Sequence, residues 1–156
     1  MALEIERKFL LKDSSWRNVV KTETAIKQGY LNSEIERTVR VRVLGGKGFL
    51  TIKGKTENLT RKEFEYEVPL EDAQEMISLC ENPVIEKIRY TVLLDGLTWE
   101  IDEFFGINEG LVVAEVELES EDHQFVTPEW VGTEVSSDSR YYNSALLSNP
   151  YSTWNK

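Results

Sequence analysis

The sequence has few of the residues that indicate disulfide-stabilised, metal-thiolate or membrane-spanning proteins. Its 156 residues include one cysteine, Cys80, and one histidine, His123. A single cysteine excludes an intramolecular disulfide and a thiolate metal cluster. No apolar run approaches the roughly 18 residues that a membrane-spanning helix requires, and Glu4 and Glu6 stand where a signal peptide would carry basic and then apolar residues. We therefore expect a cytoplasmic protein with no membrane partner.

Basic residues are also scarce, since 18 Lys and Arg stand against 28 Asp and Glu and give a net charge of -10. This balance argues against general binding of nucleic acid through a basic surface. It leaves a polyanionic ligand open, because the positions of the basic residues decide that question. The length fits one domain over residues 1–156, large enough to bury its own core.

Short segments in which apolar and polar residues alternate predict an antiparallel β protein with few helices. Gly45-Gly46 and Asp95-Gly96 are typical of hairpin turns. A helix is expected from Pro69 to Cys80, a short helical segment from Trp16 to Val20, and a last helix or turn at 138–148. We expect the α+β class, with a meandering sheet or a closed barrel and flanking helices. The eight predicted strands are 2–11, 25–32, 36–44, 48–54, 60–68, 84–95, 97–104 and 111–120.

The polar faces of these strands pair like charges two residues apart, as in Glu4 and Glu6 or Arg40 and Arg42. A charged strand face is most often simply solvated. Like charges so close on one face repel each other, however, and a sequence selected only for stability would mix them. The other charged positions on these faces are Lys8, Lys53, Glu63, Glu65, Lys87, Arg89, Glu100, Asp102, Glu115 and Glu117.

If the sheet closes with these faces inward, its interior must be wet. Dry burial costs several kcal/mol for each ion, whereas a domain is stable by only about 5–15 kcal/mol. A tunnel that holds a polyanion together with metal cations would supply the missing partners. The apolar faces would then pack outward against helices and a second subunit, so a homodimer is expected.

The first strand carries the motif Glu-x-Glu-x-Lys at Glu4, Glu6 and Lys8. It resembles the signature of the CYTH superfamily, the triphosphate tunnel metalloenzymes. The other charged motifs follow in the order of that family, and the stretches "KQGYL" and "DSRYYNSAL" are similar to its short bacterial members. The resemblance runs from residue 3 to about residue 147.

This resemblance implies an eight-stranded antiparallel closed barrel that hydrolyses inorganic triphosphate to diphosphate and phosphate with Mg²⁺ or Mn²⁺. Carboxylates suit such hard cations, and guanidinium groups suit phosphate oxygens. The expected metal ligands are Glu4, Glu6, Glu63, Glu65, Asp102, Glu115 and Glu117. The expected phosphate-binding residues are Lys8, Arg40, Arg42, Lys53, Lys87, Arg89 and Arg140. Lys8 and Tyr30 are the expected pair that activates water, although Tyr30 could instead only pack in the barrel.

Other functions remain open at this stage. The resemblance also covers adenylate cyclases, thiamine triphosphatases and RNA 5′-triphosphatases, which grip the same triphosphate. A non-catalytic sensor of polyphosphate or nucleotide is a further alternative. A purely structural acidic barrel is a weaker one, because it gives no reason for the paired basic faces.

Overall fold

The computed structural model describes residues 3–155, apart from the side chain of Asn82. Residue 2 of the first predicted strand lies outside this range. The helices are α1 (Leu70–Ser78) and α2 (Ala145–Ser148). The strands are β1 (Leu3–Leu11), β2 (Thr22–Asn32), β3 (Arg37–Leu44), β4 (Lys47–Gly54), β5 (Thr60–Val68), β6 (Glu81–Leu94), β7 (Leu97–Phe104), β8 (Val112–Glu117) and β9 (Val131–Glu134).

The first eight strands form a closed antiparallel barrel, as the sequence predicted. Their order is β5-β4-β3-β2-β6-β7-β8-β1, and a pairing of β1 with β5 closes the circle. The ninth strand, β9, was not predicted. It pairs with β1 near Phe9 and Leu11, beyond the Leu3–Ile5 stretch that pairs with β5.

The barrel is inverted, because much of its apolar core lies outside the strands. Trp99, Ile101 and Val116 lie on the outer face of β7 and β8, where Trp16 and Trp130 pack against them. Each of these five residues is at most 6% exposed. Burial of such large side chains stabilises the domain by about 1.5–3 kcal/mol each, so the charged strand faces can point inward.

Helix α1 covers the outer face of β3 and β4 through Ala73, which packs with Val41 and the buried Cys80. The helix approaches β4 closely at Gly48, where a Cβ atom would lie 2.5 Å from the Cβ of Ala73. Glycine at this position therefore permits the helix to sit directly on the sheet. The sequence predicted this helix and an apolar role for Cys80.

Part of the outer face of β4 and β5 stays exposed, with Ile52 39%, Phe64 40% and Tyr66 60% accessible. Ile52 and Phe64 lie directly opposite each other in the register of the two strands. The homodimer stays a prediction.

No helix within the described residues is long and apolar enough to cross a bilayer.

Candidate functional site

The barrel encloses a cavity of about 340 Å³ that is lined almost entirely by charged and polar side chains. All the residues predicted for the site line this cavity, except Asp102 and Arg140. The predicted residues that line it are Glu4, Glu6, Lys8, Tyr30, Arg40, Arg42, Lys53, Glu63, Glu65, Lys87, Arg89, Glu115 and Glu117. The alternation of each strand therefore directs its like-charge pairs toward one shared space.

One wall of the cavity is acidic because the strand register places carboxylates side by side. Glu6 on β1 lies opposite Glu117 on β8, and Glu115 on β8 lies opposite Glu100 on β7. Burial, together with the nearby Glu115 and Glu4 carboxylates, raises the pKa of Glu6 to about 8. Burial and neighbouring carboxylates also raise the pKa of Glu117. Nearby cations do not neutralise all the carboxylates of this wall, so Glu6 is mostly protonated at neutral pH in the ligand-free protein.

Such a wall has the chemistry of a site for a hard divalent cation, because all of its donors are carboxylate oxygens. Within residues 3–155, however, no three acidic, histidine or cysteine side chains are already arranged as a metal-ligand set. Glu4 shows the reason, since its oxygens lie 3.0 Å from Lys53 Nζ and 3.2 Å from Arg61 Nε. Burial alone would raise the pKa of Glu4, but these two cations hold it well below its usual range.

Glu63 and Glu65, the second pair of expected metal ligands, also contact basic residues. Glu63 lies 3.2 Å from Lys53 Nζ, and Glu65 lies 3.5 Å from Arg40 Nη2. Glu65 also accepts a 2.8 Å hydrogen bond from the Thr51 hydroxyl. Carboxylates and basic groups thus alternate across β3, β4 and β5, so binding of a cation here would have to displace ion pairs.

Arg42 is the most unusual cation of the cavity. It is 8% exposed, its Nε atom has no hydrogen-bond partner, and among the described residues no carboxylate lies within ion-pairing distance of it. Burial and the neighbouring Arg40 and Arg89 lower its pKa to about 9, so it stays charged at neutral pH. The Nε atom of Arg40 is also buried without a partner. Buried donors without partners are rare and call for an explanation, and an anion in the cavity would supply one.

Asp102 lies behind the cavity surface and is 1% exposed. It accepts bonds of 2.8 Å from Lys87 Nζ and of 2.8 and 2.9 Å from Arg89. Despite burial, these two cations hold its pKa far below its usual range. The expectation that Asp102 binds metal does not fit this geometry, because both of its oxygens are engaged by cations. Burial and the nearby guanidinium groups of Arg89 and Arg42 lower the pKa of Lys87 to about 7, against the attraction of Asp102.

Lys8 and Tyr30, the expected water-activating pair, both line the cavity and are both buried. The Lys8 ammonium lies 3.4 Å from a Glu115 oxygen and donates to the carbonyl of Tyr141 at 3.2 Å. Burial would lower the pKa of Lys8, but the Glu115 and Glu6 carboxylates outweigh it and leave the pKa above its ordinary value. Lys8 is therefore an ammonium suited to bind phosphate, and its expected part in activating water stays a prediction.

Arg140 does not line the cavity. It is exposed and lies 2.7 Å from Asp138, with its guanidinium over the ring of Trp154. Arg61 and Asn143 are among the cavity-lining residues that were not predicted for the site. Arg61 could have been found, since it precedes Glu63 by two residues on the same face of β5. Asn143 lies in an irregular segment with no periodic pattern to place it.

Known proteins match this chain, in sequence and in structure, along nearly its whole length. The sequence profile of the CYTH domain family matches residues 2–146. An inorganic triphosphatase of Acetivibrio thermocellus is 47% identical over 152 residues, which cover 97% of each chain. One of Nitrosomonas europaea is 35% identical over 147 residues, 92% of this chain and 95% of the relative. A crystal structure of an inorganic triphosphatase has a TM-score of 0.67 at 33% identity, covering 94% of this chain and 95% of that one.

Proposed function

Because the chain belongs to the CYTH domain family, we propose that it hydrolyses inorganic triphosphate to diphosphate and phosphate inside its barrel. Two curated relatives that cover nearly the whole chain are inorganic triphosphatases. The observation that carries the proposal is Arg42, a buried guanidinium without a partner among the described residues, beside two further arginines. A polyanion in the cavity would supply the partner that Arg42 lacks.

The basic side chains of the cavity would bind the phosphoryl oxygens. Guanidinium groups offer several donors in a rigid plane that matches these oxygens, whereas an ammonium acts as a compact point charge. Arg140 is left out because it faces Asp138 outside the cavity. Arg61 is added because it lines the cavity and is held by Glu4. The proposed set is Lys8, Arg40, Arg42, Lys53, Arg61, Lys87 and Arg89.

The acidic wall would hold a divalent cation, and we assign Glu6, Glu115 and Glu117 to it, with Glu4 at its edge. Mg²⁺ or Mn²⁺ suits these oxygen donors, and the raised pKa of Glu6 supports a deficit of positive charge there. Glu63 and Glu65 on β5 are the candidates for a second ion. When bound, such an ion neutralises charge on the phosphoryl oxygens and favours attack by water.

Lys8 and Tyr30 would orient the attacking water. Lys8 stands between the acidic wall and the C-terminal segment, within reach of Glu115 and of the Tyr141 carbonyl. An ammonium at this position can bind both the terminal phosphate and a water molecule beside it. Positioning and charge neutralisation account for most of the catalysis of phosphoryl transfer.

The one cysteine of the chain, Cys80, is buried as a free thiol and indicates the cellular compartment. Proteins without disulfides are typical of reducing compartments. We propose the cytoplasm, where small polyphosphates and nucleotides would both meet the protein.

The test is a substrate panel. Purified protein with Mg²⁺ or Mn²⁺ is offered tripolyphosphate, ATP and thiamine triphosphate separately, and products are followed by ³¹P NMR. We expect diphosphate and phosphate from tripolyphosphate, lost in Arg42→Met and retained in Arg140→Met, the matched exposed control. Cyclic AMP from ATP would instead identify a cyclase, and binding of tripolyphosphate without turnover would identify a sensor.

A further inference from the structure

The segment that follows β9 and runs through α2 packs against the barrel beside the cavity. Tyr141, Leu146 and Leu147 are buried there against a cluster that includes Tyr30 and Phe104. Residues 142–144 of the same segment line the charged cavity. The segment is therefore packed on one side and faces the proposed substrate on the other.

Asn143 makes the closest contact of this segment with a cavity cation. Its Oδ1 atom accepts a 2.9 Å hydrogen bond from Lys87 Nζ and a 2.8 Å bond from Gln28 Nε2. An ammonium can only donate, so the amide oxygen of Asn143 must face Lys87. Gln28 is fully buried, and its amide nitrogen fixes the same oxygen from the second side.

Lys87 is thereby held by two acceptors from different parts of the chain. Asp102 on β7 binds the ammonium at 2.8 Å, and Asn143 binds it at 2.9 Å. An ammonium has three donors, so one remains for a ligand in the cavity that Lys87 lines. A lysine stem has many rotamers, and two fixed acceptors restrict the ammonium to one place.

The choice of a neutral acceptor matters for a polyanion. With Lys87 protonated, the form that a bound polyanion favours, Lys87, Arg89 and Asp102 together carry one net positive charge. An amide at position 143 leaves that charge intact. A carboxylate at the same place would hold Lys87 equally well but would cancel the charge. Asn143 thus combines a strong hydrogen bond with preservation of the positive potential.

We propose that Asn143 is a positioning residue, which holds the Lys87 ammonium toward a phosphate oxygen and so makes the C-terminal segment part of the phosphate site. The inference rests on the proposed function, because it needs a polyphosphate in the cavity. Asn143 acts through Lys87, and its contribution exists only while Lys87 is present.

The test measures the Kd of tripolyphosphate by titration calorimetry in EDTA, where no metal-dependent turnover occurs. Asn143→Leu should raise the Kd about tenfold or more, as expected for loss of a hydrogen bond to a charged group. In a Lys87→Met background the same change should alter the Kd less than about twofold. Asn149→Leu, an exposed control in the same C-terminal region, should change nothing.

Each outcome decides between the two proposals. A wild-type protein that does not bind tripolyphosphate contradicts the proposed function itself. Binding by the wild type with an unchanged Kd in Asn143→Leu contradicts the positioning role, and so does an equal effect in both backgrounds, which marks a merely structural residue. If Asn143→Leu fails to fold, Asn143→Asp replaces it. This variant keeps the acceptor and should still weaken binding through its charge, and an unchanged Kd would overturn the inference.

Discussion

Arg42 and Arg89 line the same cavity but should affect stability in opposite directions. Arg42 has no hydrogen-bond or ion-pair partner among the described residues, whereas Arg89 makes bonds of 2.8 and 2.9 Å to Asp102. We predict that Arg42→Met stabilises the ligand-free protein and that Arg89→Met destabilises it. Methionine keeps most of the apolar stem of arginine, so the comparison isolates the charge.

The magnitudes follow from the environments of the two groups. Burial and like charges lower the pKa of Arg42 from its ordinary value to about 9. At about 1.4 kcal/mol per pKa unit, its charge costs at most about 5 kcal/mol. Water in the cavity reduces this cost, so we expect a gain of about 1–3 kcal/mol in Arg42→Met. Arg89→Met leaves Asp102 with one cation in place of two, and breaking a buried pair costs about 3–5 kcal/mol.

The assay is thermal unfolding of the wild type and both variants, without phosphate or other polyanions in the buffer. For a domain of this size the midpoint temperature should rise by about 2–4 °C for each kcal/mol gained. Tripolyphosphate at about 100 times its Kd should stabilise the wild type by about 2.7 kcal/mol, and Arg42→Met much less. A loss of stability in Arg42→Met, or a gain in Arg89→Met, would show that these environments do not set the stability as described.

Two further predictions concern parts of the fold outside the cavity. Bonds from Arg7 lower the pKa of Glu134. Their stabilisation is therefore present above about pH 4.5 and is lost as the pH falls through the lowered pKa. The free energies of unfolding of Glu134→Gln and of the wild type should converge in acid, and a difference that stays constant with pH would argue against this prediction. Gly48→Ala places a Cβ atom 2.5 Å from the Ala73 Cβ and should cost about 1–3 kcal/mol, whereas Gly46→Ala, with open space around it, should stay within about 0.5 kcal/mol.

The strands could be predicted because their side-chain period is strict and their turns carry glycine. The like-charge pair Glu4 and Glu6 also indicated the inward direction of the polar faces, since repulsion on a solvated face has no compensating gain. Strand β9 was missed because four residues, Val131–Glu134, are too few to show a period. Its pairing depends on a free edge of β1, which only the tertiary structure reveals.

The cavity was predicted more accurately than the role of each group in it. Spacing alone does not tell whether an acidic residue faces a metal or another side chain, and Asp102 turned out to face Lys87 and Arg89. Arg140 lies in a single 3-10 turn, Ser139–Tyr141, and pairs locally with Asp138. Asn143 reaches Lys87 across 56 positions of the chain, a contact that no local pattern could indicate.

A triphosphate bound inside the barrel would contact both the unpaired Arg42 and the paired Lys87 and Arg89. A crystal structure of the wild-type protein with tripolyphosphate tests this binding mode most directly. We predict three phosphoryl groups in the cavity, with oxygens within hydrogen-bonding distance of Arg42, Lys87 and Arg89. Tripolyphosphate bound on the outer surface, with Arg42 still lacking a partner, would contradict the account.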